Sequence, residues 1–417
     1  MHEAPVFYDP SGRRRRRFAL GLLAFVLLLL LSGGIFAVSI VDVVPQPQLP
    51  FDMEHPPMRG TTVATTLRPA FHRASRWLFP HLARSGERPL AVAFHAPWDD
   101  ASTASLARHI NELDMLVPGW LSITGRDHHL TSFADPRGKA IISHAAHRPK
   151  LLPMVQNAIG GQWDGPGMAA LLHDPLERSG ALDRIEQMLV ANHADGAFFD
   201  FEELPLSAQR DYLAFLREAR SRFAARGWQI VLAVPVDNPD WNFKAYAAVA
   251  DRLFLMAYDE HYQGGPPGPI GSLGWVMRHV QAAARGIDHR KLVVAIGNYA
   301  YDWADGTRGP TDALSIEDAW LRARESGASP TFDPASGNSH FAYDEGAVHH
   351  EVWMMDAASA HDQIAALNAA GFSQLALWRL GSEDPSMWQL FGRHRSLPHS
   401  ARVIEQIPAG TDVDVEG

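Results

Sequence analysis

The chain has 417 residues, 46% of them hydrophobic and 20% charged, enough to bury one large core rather than several small ones. Its formal net charge is -10 and no long basic patch lies outside the N-terminus, which argues against nucleic-acid binding. There is no cysteine, so disulfides, zinc-thiolate sites and cysteine nucleophiles are excluded.

The N-terminal segment, residues 1–17, ends in five successive arginines, Arg13 to Arg17, and an uncharged, mostly apolar run follows from Phe18 to Val41. At ~1.5 Å per residue a helix over 18–41 is long enough to cross a ~30 Å hydrocarbon core. The positive-inside rule keeps the arginines in the cytoplasm and places everything after Asp42 outside it. The alternative is a cleaved secretory signal, with Ala37-Val38-Ser39 as the small-residue cleavage site. Both readings export the remainder. The anchored one gives a single-pass protein of the inner (cytoplasmic) membrane facing the periplasm or the exterior. Residues 42–88 begin Pro-rich (Pro45, Pro47, Pro50, Pro56, Pro57) and show no sustained period, which predicts a tether.

From residue 89 to about 395, apolar β-prone runs alternate with amphipathic helical stretches, the pattern of a parallel sheet with helical crossovers. Strands are predicted at Leu90–His95, Met115–Ser122, Leu151–Gln156, Gly196–Phe201, Gln229–Val234, Arg252–Met256, Lys291–Gly297 and Gln374–Trp378. Helices are predicted at Ser102–Asn111, Pro166–His173, Ser179–Ala191, Ser207–Arg226 and Gly274–Gly286. Eight such units over about 300 residues predict an α/β fold, a (β/α)8 TIM barrel. A small α+β insertion is expected after the seventh strand, over about 307–356, with a helix at Ser315–Ser326 and strands at Ser339–Tyr343 and His349–Met354. Residues 396–417 form an expected flexible, acidic tail.

The fourth predicted strand carries the chemistry. In Ala194-Asp195-Gly196-Ala197-Phe198-Phe199-Asp200-Phe201-Glu202-Glu203, side chains alternate, so Asp200 and Glu202 share one face while Phe199 and Phe201 share the other. Two carboxylates at the end of an apolar strand are costly unless partnered, so the plain reading is a helix cap or a structural ion pair. The stretch also resembles the catalytic signature of glycoside hydrolase family 18, the chitinase family, Asp-Gly-x-Asp-x-Asp-x-Glu on the fourth barrel strand. Asp195, Gly196, Asp200 and Glu202 match, and Phe198 stands where the middle Asp is usual. Branches acting on bacterial cell-surface glycans resemble this reduced form.

Two further motifs resemble the family's, in the same order. Leu255-Met256-Ala257-Tyr258-Asp259 is similar to the sixth-strand Met-x-Tyr-Asp, and Leu375-Ala376-Leu377-Trp378 to the final-strand Trp. Read alone, Trp378 is also compatible with ordinary core, Tyr258 with a satisfied buried hydroxyl and Met256 with packing. The resemblance implies Glu202 as general acid and then base, Asp200 holding the substrate acetamido group, and Tyr258 donating to its carbonyl oxygen. Reaction through the substrate's own acetamido group departs from the two-carboxylate rule of glycosidases. Trp378 would form the sugar-binding floor. Strand ends at the barrel mouth add Trp98, Gln156, Met256, Asp259, Asn298 and Tyr299 as expected substrate contacts, and Asp195 is expected to be structural.

The expected substrate is a glycan containing N-acetylglucosamine: peptidoglycan, a chitin-like oligomer or an exported polysaccharide. Asp259-Glu260-His261-Tyr262, the following Gly264-Gly265-Pro266-Pro267-Gly268, and Trp378-Arg379-Leu380-Gly381-Ser382 resemble the bacterial spore-cortex and envelope branch. The whole arrangement also resembles the N-terminal region of membrane proteins that fuse this barrel to a polysaccharide deacetylase and a glycosyltransferase, which implies either as a partner. No metal and no cofactor is expected. The alternatives are a silent glycan-binding barrel and a metal-dependent deacetylase. For the latter the nearest ligand candidates are Asp99-Asp100 and His144 with His147; the two histidines read as surface residues, and His349-His350 in the insertion has no third ligand nearby.

Overall fold

A computed structural model of the protein describes residues 90–124, 127, 129–306 and 309–393. The expected membrane segment, the tether and the tail lie outside the described residues. Among the described residues no helix is long and apolar enough to cross a membrane.

Eight parallel strands form a closed ring. They are β1 (Ala91–His95), β2 (Met115–Pro118 and Leu121–Thr124), β3 (Lys150–Leu151 and Met154–Gln156), β4 (Gly196–Asp200), β5 (Gln229–Pro235), β6 (Arg252–Met256), β7 (Leu292–Gly297) and β8 (Leu375–Trp378). β8 pairs with both β7 and β1, and each piece of β2 pairs with a piece of β3, so the ladder has no open edge. The two interrupted strands break where proline removes a donor or precedes the break, at Pro118-Gly119-Trp120 and at Leu152-Pro153. Gly119 N instead donates to His95 O at 2.9 Å, which keeps β2 tied to β1.

Helices cover the outside: α1 (Asp100–His109), α2 (Pro136–His144), α3 (Gly165–His173), α4 (Pro175–Ala191), α5 (Gln209–Ala224), α6 (Phe243–Val249), α7 (Leu273–Ala283) and, before β8, α9 (Ala357–Ala369). Most begin at a side-chain cap; Asp99, Asp135, Asp164, Asn242, Ser272 and Asp356 each accept a first-turn amide. α2 was not expected from the sequence pattern.

Strand alternation sorts side chains into two cores. Val92, Phe94, Phe198, Val231, Phe254, Val293 and Ala376 fill the barrel interior. Phe199 and Phe201 point outward onto α5, with ring centroids 5.3 Å from Phe215 and 5.2 Å from Tyr212. The same parity carries Asp200, two residues beyond Phe198, Met256, two beyond Phe254, and Trp378, two beyond Ala376, to the inner top of the barrel.

After β7 comes a separate antiparallel sheet, ordered Thr311–Leu314, Ala300–Ala304, Val348–Met354, Asn338–Glu345, Thr331–Asp333, with α8 (Ile316–Ser326) packed on it. Ala300, Ile316, Ala319, Ala323, Phe341, Val352 and Met354 form its own apolar cluster. This lobe starts at Ala300 rather than near residue 307, because Tyr301 and Trp303 alternate with Ala300, Asp302 and Ala304 as a strand immediately after the β7 loop.

Candidate active site

Phe198 sets the floor beneath the carboxylates. Phe94 and Phe254 meet it edge to face, with centroids at 5.2 and 5.0 Å, and Phe94 reaches Trp378 at 5.0 Å. Asp200 sits directly above this apolar plug, 5% exposed, and its Oδ1 has no hydrogen-bond partner. Burial pushes its carboxyl up to about 7, against the lowering effect of a hydrogen bond shared with Glu202. Glu202 lies just past the strand end and is held well above the carboxylate range, first by burial, then by the negative charges of Asp200, Asp259 and Glu203. Two carboxyl groups this close in an apolar setting do not both ionise, so the pair retains a proton near neutral pH. That is the condition a general acid needs.

β6 supplies the other half. Burial, followed by the charges of Asp200, Asp259 and Glu202, holds the Tyr258 hydroxyl well above its ordinary value, so it stays a donor. Its ring lies nearly parallel to Trp378, at 17° with centroids 6.3 Å apart. The next residue, Asp259, adopts φ 61°, a left-handed conformation uncommon for a residue other than glycine. It accepts hydrogen bonds from the hydroxyls of Tyr299 and Tyr301, the latter at 3.1 Å. Burial raises its carboxyl despite these two donors. Asp200, Glu202, Tyr258, Asp259 and Trp378 are thus brought together at one mouth, with Met256 partly buried among them against the barrel interior.

The other expected residues fall into two groups. Trp98 stands at the rim, 60% exposed, and Gln156 is half-buried beside Asp200 in register. Asn298 and Tyr299 belong to the scaffold instead. Asn298 is fully buried; its Nδ2 donates to Met355 O and its Oδ1 accepts from Asp384 N at 2.7 Å, so the amide ties the scaffold together and is not exposed at the mouth. The Tyr299 hydroxyl is committed to Asp259. Asp195 accepts from Leu151 N at 2.8 Å and from Arg148 at 3.2 Å, on the far side of the strand from the mouth.

Two relationships were not expected from the sequence. Asn157, just past β3, hydrogen-bonds the main chain of Glu202, and Arg379 after β8 is ion-paired with Asp99 after β1. Their only signal was a polar residue placed just past a strand end. Beside Trp378 opens a cavity of about 410 Å³, bounded by Asp99, Tyr301, Leu314, Glu317 and Arg379. The insertion therefore walls one flank of the site. Among the described residues no group of three His, Asp or Glu is placed to hold a metal ion. His144 bonds back to Ala140 O in its own helix, and His349 and His350 are paired with Asp344 and Asp302.

Comparison with known proteins decides the family. The description "Glycosyl hydrolases family 18" matches residues 92–383. The chain belongs to this family. The chain is similar to curated relatives such as the cortical fragment-lytic enzyme of Bacillus anthracis, 26% identical over 271 residues, which covers 61% of this chain and 63% of the relative. The chain spans about three fifths of the length of the first curated relatives it matches. Among solved structures, the spore cortex-lytic enzyme SleL of Bacillus cereus superposes with a TM-score of 0.66 at 23% identity, covering 75% of this chain and 76% of that one. A chitinase from Chromobacterium violaceum gives 0.65 at 23% identity, covering 72% and 96%. These likenesses confirm the family 18 barrel as the fold.

Proposed function

We propose that this family 18 enzyme hydrolyses a β-linked glycan containing N-acetylglucosamine by substrate-assisted, retaining catalysis. The observation that carries the reading is the placement of the Asp200 and Glu202 carboxyls together above an apolar floor of Phe94, Phe198 and Phe254, beside Tyr258 and Trp378. Glu202 protonates the glycosidic oxygen, and the bond from that oxygen to the anomeric carbon breaks. The acetamido carbonyl oxygen of the same sugar attacks the anomeric carbon from the opposite face and forms a cyclic oxazolinium-like ion. Asp200 accepts the acetamido N–H and balances the positive charge, while Tyr258 donates to the carbonyl oxygen. Water, deprotonated by Glu202, then opens the ring and restores the acetamido group, so the anomeric configuration is retained. Trp378 offers its face to the sugar's C–H face and keeps water away. Trp98, Met256, Asp259 and Gln156 line the approach.

The arginine run and the apolar segment 18–41 support a single-pass anchor that holds the barrel outside the cytoplasm. Peptidoglycan or an exported polysaccharide fits that location, and a polysaccharide deacetylase or glycosyltransferase would act on the same polymer. Phe198 in place of an acid favours a second reading, a weakly active or silent glycan-binding barrel serving polymer synthesis. Turnover of N-acetylglucosamine oligomers by the parent and by Glu202→Gln separates them. Loss of a general acid lowers the rate by about 10²- to 10⁴-fold while binding persists. Equal rates for the two proteins refute the assignment, and binding without cleavage by the parent selects the second reading.

A further inference from the structure

Helix α1 turns a polar face inward: Ser102, Thr103 and Ser105 are buried beside Leu106. A helix packed on a barrel ordinarily buries apolar side chains, so these hydroxyls need partners. Ser102 Oγ accepts from Ala96 N at 2.9 Å and lies 2.9 Å from His95 Nδ1. The Ser105 hydroxyl donates to Oε1 of Glu383, a residue of the loop after β8 that is only 7% exposed. The same Oε1 accepts from Trp388 Nε1 at 3.2 Å, and Oε2 accepts from Gly381 N. One buried carboxyl group thus ties the loop to α1 on one side and to the turn Pro385–Gln389 on the other. It takes no part in the reaction proposed above.

That loop starts at the sugar floor. Trp378 ends β8, and Arg379 to Asp384 follow it directly. Leu380 N donates to Phe94 O at 3.0 Å, Ile316 N of the insertion donates to Ser382 O at 2.9 Å, and Ala357 N at the start of α9 donates to Asp384 Oδ2 at 3.1 Å. Gly381 adopts φ 90° and runs so close to α1 that a Cβ there would fall 2.3 Å from Ser102 N. At this crowded point, three residues past Trp378, Glu383 takes the main-chain amide.

We propose that Glu383 is a positioning residue for Trp378: by holding the Gly381 amide it fixes the course of the chain just past the floor, and with it the tilt of the Trp378 ring and the reach of Arg379 to Asp99. The proposal rests on the glycosidase reading above and extends it to a side chain that does not border the cavity. A carboxyl group suits the task because it has an acceptor on each side. An amide in its place has one acceptor and one donor, so it serves Gly381 N–H without conflict only when the donor Trp388 Nε1–H is also removed; the Ser105 hydroxyl rotates to accept.

The test uses the full chain and a soluble N-acetylglucosamine oligomer, with binding and turnover measured well below each melting temperature. Glu383→Ala leaves the Gly381 amide without its acceptor and is expected to lower binding and kcat/KM by about tenfold, the size of one buried donor left unpaired. Should that variant not fold, Glu383→Asp, one methylene shorter, replaces it with the same expectation. Ser105→Ala removes a donor on the α1 side only; it lowers the melting temperature and keeps the parent's kinetics. The double variant Glu383→Gln with Trp388→Phe also keeps them, because its amide oxygen still meets Gly381 N–H and the phenyl ring still stacks on His109, as the indole does at 3.9 Å. A purely structural role would move melting temperatures without this split in kinetics. Glu383→Ala as active as the parent, or equal kinetic losses in all three variants, overturns the proposal. If the parent binds the oligomer without cleaving it, the same ordering in binding upholds the positioning role and refutes the hydrolytic reading instead.

Discussion

Asn157 grips the main chain of Glu202 from both sides: its Nδ2 donates to the Glu202 carbonyl and its Oδ1 accepts from the Glu202 amide, each at 2.9 Å. Asn157 is itself fully buried at the end of β3, so the loop that carries the acid is fastened to the neighbouring strand rather than left to its own turn. Removing the clamp leaves two backbone groups unpaired and lets Glu202 shift. Asn157→Ala is therefore expected to lower kcat by about 10²-fold, the scale of a 1 Å misplacement of a reacting group, with a smaller change in KM. Steady-state kinetics on a soluble oligomer decides it; a change confined to KM would contradict the clamp.

The shared proton has a stability consequence with a definite sign. Because burial raises Asp200 to about 7, the folded state holds that proton more tightly than the unfolded chain, whose carboxyls titrate near about pH 4. The pair's contribution to stability is whole below the unfolded value and is lost as pH rises through about 7. Asp200→Asn removes the charge that burial penalises. Its melting temperature should exceed the parent's at neutral pH and above, with the gap closing toward about pH 4. Thermal denaturation across that range checks this.

The same titration shapes the rate. Once both carboxyls ionise, no proton remains for the leaving group, so kcat/KM falls on the alkaline side of the profile. In Asp200→Asn the negative neighbour that holds Glu202 up is gone, and the alkaline limb moves to lower pH. An unmoved limb in the variant would mean that another group supplies the proton.

Phe198 is fully buried where three rings meet edge to face. Truncation there removes the plug beneath Asp200 and opens a cavity in the barrel. Phe198→Ala is expected to cost about 3–5 kcal/mol of folding stability by chemical denaturation. It also admits water below Asp200, which lowers that carboxyl toward its ordinary value and weakens its hold on the shared proton.

Tyr299→Phe isolates a smaller effect. It removes one of the two phenols donating to Asp259 while keeping the ring, and the hydrogen bond of Tyr301 remains. The loss of a bond to a buried carboxylate is worth about 1.5–3 kcal/mol. A variant as stable and as active as the parent would show that Asp259 needs only Tyr301.

The barrel was readable because strands buried on both faces are written as continuous apolar runs, and all eight runs, from Leu90–His95 to Gln374–Trp378, mark strands of the ring. Asp200 and Glu202 were readable for a related reason: period-two alternation places them on the Phe198 side, whatever the rest of the chain does. Non-local bonds were not readable. Asn298 looks like a substrate ligand at a strand end, yet its two amide bonds run to residues 57 and 86 positions away. The role of Asn157 depends on a partner 45 positions later. Nor did composition distinguish the lone strand Ala300–Ala304 from the loop before it, since its pairing partners arrive only with Thr311–Leu314 and Val348–Met354.

The lobe inserted after β7 closes its own apolar cluster and walls one flank of the cavity beside Trp378. Descendants of this chain can therefore recast that lobe, lengthening its loops or exchanging its outward side chains, without disturbing the packing that supports the acid. Divergence in what the cavity admits should accumulate there first, while β4 and β6 stay unaltered.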